Sequence, residues 1–290
     1  MDEDLNDLNN VRSSDAWSHT SKAFSSESMV QIFTYFAKIA AGMLLKDVAA
    51  DGSVRFLDIA AGAGALACEV LKALSEQQKS KAIFDITDFS PGMVETSVFE
   101  IAKLDLENRV TKMFQVMDGQ ELQFSDNTFS HVGCQFGIMF YPNRQKGLAE
   151  MHRVLQLGGT AVILTWHYND NLELLLDFSS YLNISHLESS IATMNDILSA
   201  CGQPAQFEEE LAAVGFRDIT VTKVEKVFDF ADSEEFYLDY ASNPAMSAFM
   251  GGECKFKEWE EFLRTVGRRW LNKEGRLCSK FVANVAVARK

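Results

Sequence analysis

Hydrophobic and polar positions follow two rhythms along this chain. Short runs of branched and aromatic residues read as strands. Between them, apolar positions recur every three or four residues, as on one face of a helix. Ile32, Phe33, Phe36, Ile39, Ala40 and Met43 form such a stripe over residues 29–48, and Ser25-Ser26-Glu27-Ser28 ahead of it offers an N-cap. That helix either packs into the core or lies as a lid over the turn that follows. Val54, Phe56, Leu57 and Ile59 make a buried strand running into Gly62 and Gly64, and a helix over 65–79 carries Leu66, Val70, Leu71 and Leu74 on one side. Residues 82–87 are a second strand. Ser90 as N-cap and Pro91 at the first helical position then open a helix to about Leu106. A third strand spans 110–116 and a fourth 129–136, separated by a turn at Asp126-Asn127-Thr128. A helix starting at Pro142-Asn143 and ended by Gly158-Gly159 leads into a fifth strand over 161–166.

Past this point the rhythm changes. Residues 169–206 read as helical with no strand, 207–214 as a further helix stopped by Gly215, and 216–230 as a long β-rich run. Residues 233–270 are helical again and 280–288 form a last strand. Strands alternating with helices mean βαβ units. The pattern therefore predicts an α/β fold with a doubly wound, mainly parallel seven-stranded sheet and helices on both faces. The last strand is antiparallel, and helical insertions serve as lids. One domain is expected, in four parts: an arm and lid helix over 1–50, a cofactor-binding core over 51–168, a helical substrate lid over 169–206, and the rest of the sheet with its insertion over 207–290. Residues 1–26 read as a mobile arm bearing the aromatics Trp17 and Phe24.

Composition narrows the partners. Apolar residues are 47% and charged residues 23% of the 290, ordinary for a globular chain. The formal net charge of −14 repels a phosphate backbone, so no nucleic-acid partner is expected. Arg264, Arg268 and Arg269 are the nearest approach to a basic cluster. The five cysteines are scattered, with no CxxC pair and no spacing suited to a metal, so no metal is expected and reduced thiols fit best. The first residues have neither a basic n-region nor an apolar h-region, and the most apolar long segment carries Lys38, Lys46 and Asp47. No membrane span and a cytoplasmic location are the expectation.

The candidate chemistry begins at the glycine turn. A strand, a glycine turn and a helix N-terminus form a nucleotide-type site. Gly62-x-Gly64-x-x-Ala67 fits a nicotinamide dinucleotide as well as other nucleosides. Asp88 ends the second strand, where a carboxylate can accept from ribose hydroxyls in either case. Asp58 precedes the glycines, and Asp118-Gly119 follows the third strand at the ligand edge of the sheet.

Together with Phe129–Ser130–His131–Val132–Gly133–Cys134–Gln135–Phe136–Gly137–Ile138–Met139–Phe140–Tyr141–Pro142 and Glu150–Met151–His152–Arg153–Val154–Leu155–Gln156–Leu157–Gly158–Gly159, these motifs carry a resemblance. Residues 54–166 resemble the class I S-adenosylmethionine-dependent methyltransferases, and most of all the small-molecule branch that includes the ubiquinone/menaquinone C-methyltransferases (the methyltransferase type 11 group). The resemblance implies a Rossmann-like fold with S-adenosyl-L-methionine as cofactor and S-adenosyl-L-homocysteine as product. It implies that Asp58, Ala60, Ala61, Gly62 and Gly64 wrap the methionine end, with Asp88 on the ribose and Phe89 and Met93 against the adenine. Asp118 matches the carboxylate that accepts from the adenine amino group, and Gly119 the backbone beside it. Gln135 and Phe136 match positions beside the methionine and the acceptor. Ala60 stands where the family usually has its first glycine, and the added methyl is expected to be a mild change.

The implied reaction is in-line transfer of a methyl group to a small or medium organic acceptor through an O-, N- or C-nucleophile. His167, after the fifth strand, and Tyr141, after the fourth, are the candidate catalytic bases. His19 could close over the site, His131 reads as strand packing and His186 has no place. Trp17, Met139, Tyr141, Trp166 and His167 are the candidate acceptor contacts. A monomer or homodimer is expected. Two alternatives stay open: a NAD(P)-dependent oxidoreductase, weakened by the lack of a Tyr-x-x-x-Lys pair, and a non-catalytic cofactor-binding partner subunit.

Overall fold

The computed structural model describes residues 13–49, 52–104, 110–183, 197–198, 201–242 and 256–290. Seven strands form one sheet: β1 (Arg55–Ile59), β2 (Ile83–Asp88), β3 (Thr111–Val116), β4 (Phe129–Gln135), β5 (Leu155–Asn169), β6 (Arg217–Phe230) and β7 (Leu277–Arg289). Their order is β3-β2-β1-β4-β5-β7-β6. β1 to β5 run parallel, whereas β7 is antiparallel to both β5 and β6. β1 and β2 are buried almost throughout, as their unbroken apolar runs require of strands covered on both faces. The late antiparallel pair forms as expected. β7 lies inside the sheet against β5, and β6 becomes the edge, where its Lys223, Glu225 and Lys226 stay in water.

Helices flank the sheet: α1 (Ser14–Thr20), α2 (Glu27–Leu44), α3 (Ala65–Ala73), α4 (Glu76–Lys79), α5 (Pro91–Ala102), α6 (Arg144–Val154), α7 (Asn171–Leu182), α8 (Pro204–Ala213), α9 (Ser233–Ser242) and α10 (Phe256–Arg264). Several boundaries differ from the sequence pattern for local reasons. The helix expected over 65–79 breaks at Leu74, because Ser75 and Gln78 form a reciprocal capping box that starts α4. The helix before β5 stops at Val154, since Leu155 is already paired in register with Phe129. Pro204 at the first position of α8 moves its start upstream of Phe207. α5 ends at Ala102 rather than near Leu106, which lies outside the described residues. So do His186 and most of the expected lid between α7 and α8.

The largest departure is the arm. Residues 13–25 are docked as α1 followed by a 3-10 turn (Ser21–Ser25). Ser13 caps α1 and Ser26 caps α2. α2 packs into the core on one side and borders the cavity on another. Ile32, Phe36, Ala37, Ala40 and Leu44 are buried in the core, while Val30, Phe33 and Thr34 face a cavity above the glycine turn. Among the described residues no helix is long and apolar enough to cross a membrane.

Candidate functional site

The strand order reverses between β1 and β4, and a crevice opens outside their carboxyl ends, where ligands of such sheets bind. Its floor is the turn after β1. Gly62 (φ 56°) and Gly64 (φ 82°) both lie in the left-handed region, which costs glycine nothing. A side chain on Gly62 would meet no atom within 4 Å, so its backbone faces open space. Gly64 instead faces α5, where a Cβ would press on Ile101 and Ser97 at 3.1 and 3.2 Å. Ala60 is left-handed too, at φ 52°. The family's usual glycine here is thus a backbone requirement, and alanine costs about 1 kcal/mol. Its methyl is admitted because position 137 is glycine, whose Cβ would lie 2.4 Å from that of Ala60.

Two buried carboxyls tie the turn down. Asp58 is fully buried beneath it, with Oδ2 accepting from the Ala67 N–H at 3.0 Å and Oδ1 without a partner. Burial pushes its pKa up to about 8. Asp88 accepts from the Gly62 N–H and the Ser90 N–H, both at 2.9 Å, and burial pushes it up to about 6. Asp88 lines the cavity, whereas Asp58 fastens α3 to β1 from below.

The far wall follows β3 and β4. Asp118 is exposed and accepts from the Gln120 N–H at 2.8 Å. Next to it, a Cβ on Gly119 would stand 1.9 Å from the Tyr141 hydroxyl oxygen. A Cβ on Gly147 would reach the same ring at 2.4 Å, so two glycines make the slot that seats Tyr141. The Tyr141 hydroxyl is enclosed and has no hydrogen-bond partner. Burial first, then the neighbouring Cys134, Asp88 and Asp118, hold its pKa well above 10, so the phenol stays neutral and is a poor base. Gln135 donates from Nε2 to the Phe33 carbonyl at 2.8 Å, leaving Oε1 enclosed and unpaired.

Aromatic rings close the roof. Phe140 meets Trp17 at 5.3 Å between centroids, Trp17 meets Phe24 at 6.0 Å, Phe24 meets Phe33 at 5.4 Å, and Phe33 meets Phe136 at 5.8 Å. Phe136 and Phe140 share one loop, so the series forms a collar, and Phe136 also stacks on Trp166 at 3.7 Å. Phe136 holds φ 57°, strain of the kind that gathers at binding sites. The arm is pinned above Asp88. Ser14 Oγ donates to the Phe89 carbonyl at 3.1 Å, and Ser18 Oγ pairs with Ser90 Oγ at 2.9 Å.

The cavity measures about 380 Å³ and is open to solvent on one side. It brings together Ala60, Ala61, Gly62, Asp88, Phe89, Met93, Asp118, Gly119, Gln135 and Phe136 with Trp17, Tyr141 and Trp166. Four expected residues do not line it. Asp58 lies beneath and Gly64 faces α5, as above. Met139 is buried behind the wall, where its sulfur accepts from the Trp166 N–H at 3.2 Å. His167 is turned away. The β5–β7 register shifts between Trp166 and Tyr168, and an irregularity of this kind re-aims a side chain. Its Nδ1 meets the Gly202 carbonyl, and its Nε2 lies 2.9 Å from Lys223 Nζ. His19 is exposed, and His131 is buried with its pKa pushed down to about 4 by desolvation. Thr34, Lys72, Glu100 and Lys103 also line the cavity. Nothing in their spacing marked them, because they converge only when α2, α3 and α5 pack side by side.

This chemistry fits the cofactor that the resemblance implies. Gly62 offers an open backbone cradle, and Asp88 and Asp118 offer carboxylates for hydroxyl and amino groups. Aromatic faces surround the remainder, and enclosed polar atoms at Tyr141 and Gln135 lack partners. Comparison with known proteins points the same way. The ubiE/COQ5 methyltransferase family matches residues 25–199. The chain is 38% identical over 120 residues to the ubiquinone/menaquinone biosynthesis C-methyltransferase UbiE of Citrifermentans bemidjiense, a stretch covering 41% of this chain and 48% of that enzyme. It therefore spans about half the length of that curated relative. It is 24% identical over 288 residues to the methyltransferase tpcH of Aspergillus fumigatus, covering 93% of this chain and 99% of that one. Among solved structures, the YcgJ protein of Bacillus subtilis superposes with a TM-score of 0.53 at 16% identity, over 87% of this chain and 98% of that one, a likeness of fold.

Proposed function

The chain belongs to the ubiE/COQ5 methyltransferase family, and from that premise we propose that it transfers a methyl group from S-adenosylmethionine to a small or medium organic acceptor. The observation that carries this reading is the convergence of the Gly62 cradle, Asp88 and the aromatic collar on one cavity. When bound there, S-adenosylmethionine would provide a methyl already activated on sulfonium. The backbone of Ala60 to Gly62 would hold its methionine end, and Asp88 would accept from the ribose hydroxyls. Phe89 and Met93 would pack on the base, and Asp118 would accept from its amino group. Gln135 and Phe136 border the point of transfer, and Trp17, Phe33, Phe140 and Trp166 seat the acceptor.

The protein's share of the catalysis is alignment and exclusion of water. Good alignment of two reactants lowers a barrier by about 7–11 kcal/mol. The docked arm supplies the cover. His167, off the cavity, is not assigned to proton removal, and neutral Tyr141 is not either. In this reading the chain acts in the cytoplasm as a monomer or homodimer, on a small molecule and not on nucleic acid. The four parts over 1–50, 51–168, 169–206 and 207–290 then divide the work into roof, cofactor core, acceptor lid and sheet completion.

Calorimetry with S-adenosylhomocysteine and NAD tests the cofactor, and a methyl-transfer screen over phenols, quinones, amines and acids tests the reaction. Tight binding of S-adenosylhomocysteine with none of NAD is expected. Binding of NAD instead returns the oxidoreductase reading, and cofactor binding without transfer to any acceptor class returns the partner-subunit reading.

A further inference from the structure

Part of the cavity is left over once the cofactor's contacts are counted. Those contacts run along the carboxyl ends of the strands, from Asp118 past Asp88 to the turn at Gly62. A second branch leaves the aromatic collar at Phe24 and Phe33 and lies among α2, α3 and α5. Val30, Thr34 and Cys68 line it, and Lys72, Lys103 and Leu104 stand at its end. Lys72 is two turns along α3 from Ala65, about 10 Å away from the helix N-terminus that faces the glycine turn. Lys103 caps the far end of α5, whose first turn follows Asp88 and Phe89. The branch therefore ends well below the cofactor floor.

Its end is positive. Lys72 and Lys103 are the only cations among the described lining residues. Each pairs with a carboxylate one turn back, Lys72 with Glu69 at 2.5 Å and Lys103 with Glu100 at 2.8 Å. In both pairs the ammonium is the open end: side-chain exposure is 49% against 8% in the first and 52% against 21% in the second. Glu100 is further occupied by the Ser25 hydroxyl at 3.0 Å, so its charge is met from two sides. An ammonium carries three donors, and a half-exposed pair of this kind contributes at most about 1 kcal/mol. Either lysine can thus turn a donor to an incoming anion at little cost.

Resting on the methyltransferase reading, we propose that this branch selects acceptors bearing a carboxylate: an apolar stem lies along Val30 and Cys68 and ends in an acid group held by Lys72 and Lys103. A stem that is hydrocarbon to its tip meets two ammonium groups where it needs an apolar wall, so it fits this branch less well.

Calorimetry on protein saturated with S-adenosylhomocysteine tests this, since the cofactor's own carboxylate is then already placed. The probes are ω-(4-hydroxyphenyl)alkanoic acids of graded chain length and their primary amides. At the best-fitting length the acid is expected to bind about three- to tenfold tighter than its amide, as for a charge-assisted hydrogen bond discounted for exposure. Lys72→Gln still donates to Glu69 and should melt as wild type does, but lose most of that preference, while Lys72→Arg keeps it. Val30→Trp fills the branch from an exposed position and should weaken the long acids while sparing the short ones. Acids that bind no tighter than the amides, or not at all, overturn the proposal, as does a preference indifferent to Lys72→Gln. The other source of a carboxylate is the cofactor's methionine end. If Lys72→Gln weakens S-adenosylhomocysteine but not its decarboxylated analogue, the lysine serves the cofactor and the proposal fails with the methyltransferase reading intact. Wild-type protein that does not bind S-adenosylhomocysteine overturns that reading itself.

Discussion

The floor and the roof of the cavity are held together by different kinds of bond. The floor is bound mainly by backbone N–H groups donating to two carboxyls. Asp88 takes those of Gly62 and Ser90, Asp58 takes that of Ala67, and the Thr87 hydroxyl donates to the Asp58 carbonyl at 3.1 Å. The roof hangs on side-chain hydroxyls and ring edges. Ser14 and Ser18 reach Phe89 and Ser90, Ser25 donates to Glu100 at 3.0 Å, and Ser26 donates to Asp239 at 2.5 Å. Bonds of the first kind open only when the sheet does, whereas those of the second kind exchange readily with water. The floor is therefore suited to fix a cofactor, and the roof to admit and release what meets it.

The sharpest way to break this contrast is to cut the floor. Asp88→Ala leaves the half-exposed Gly62 N–H and the buried Ser90 N–H without this acceptor, the buried one costing about 1–3 kcal/mol. Loss of S-adenosylhomocysteine affinity by about a hundredfold or more is expected in calorimetry, with lower melting. A loss under tenfold would mean that the floor is not what grips the cofactor. pH separates the two regions next. Asp58 sits at about 8 in the folded protein against an ordinary value of 3.8, so the native state keeps a proton that the unfolded chain gives up. The stability it contributes is full below about pH 4 and drains as pH rises toward 8. The roof carboxyl Asp239, pushed up to about 6 by burial, follows the same sign but is finished by then. From pH 6 to 8 the melting temperature should therefore fall in wild type, and Asp58→Asn should flatten that slope. An equal slope in both would remove Asp58 from the account.

The roof has its own, smaller test. Trp17→Ala deletes two ring contacts worth about 0.5–1.5 kcal/mol each. It is expected to raise the acceptor KM about tenfold while S-adenosylhomocysteine affinity moves less than about twofold. Equal damage to both would merge roof and floor into one unit. Smallest is Ala60→Gly, which relieves a left-handed alanine worth about 1 kcal/mol. Melting about 2–4 °C higher is the expected outcome, and no rise would place the strain elsewhere.

The same contrast explains what the sequence disclosed. The floor is written locally: an unbroken apolar run, then glycines, then helical periodicity fixes β1, its turn and α3 in order. Asp88 and Asp118 follow because one ends β2 and the other lies just past the end of β3. The roof is not local. Ser14 and Ser18 acquire their role by meeting Phe89 and Ser90, some seventy residues away, and nothing near Trp17 announces that it will touch Phe140. The slot for Tyr141 needs Gly119 and Gly147 from separate segments. His167 was misplaced because a register shift inside a strand leaves no mark in the hydrophobic alternation. One miss was legible: Ser75 with Gln78 three residues on is a capping-box pattern, and it marks the break before α4.

The contact between positions 60 and 137 has a historical consequence. With alanine at 60, a methyl at 137 collides at 2.4 Å. With glycine at 60, the nearest remaining atom to that methyl is Cys134 Sγ at 3.3 Å, and the backbone at 137 (φ −95°) accepts any residue. Gly137→Ala is thus harmful in this protein and less harmful once Ala60→Gly has come first. The two sites are coupled, so the order in which a lineage changes them matters: the path through the double glycine avoids the clash of two methyls.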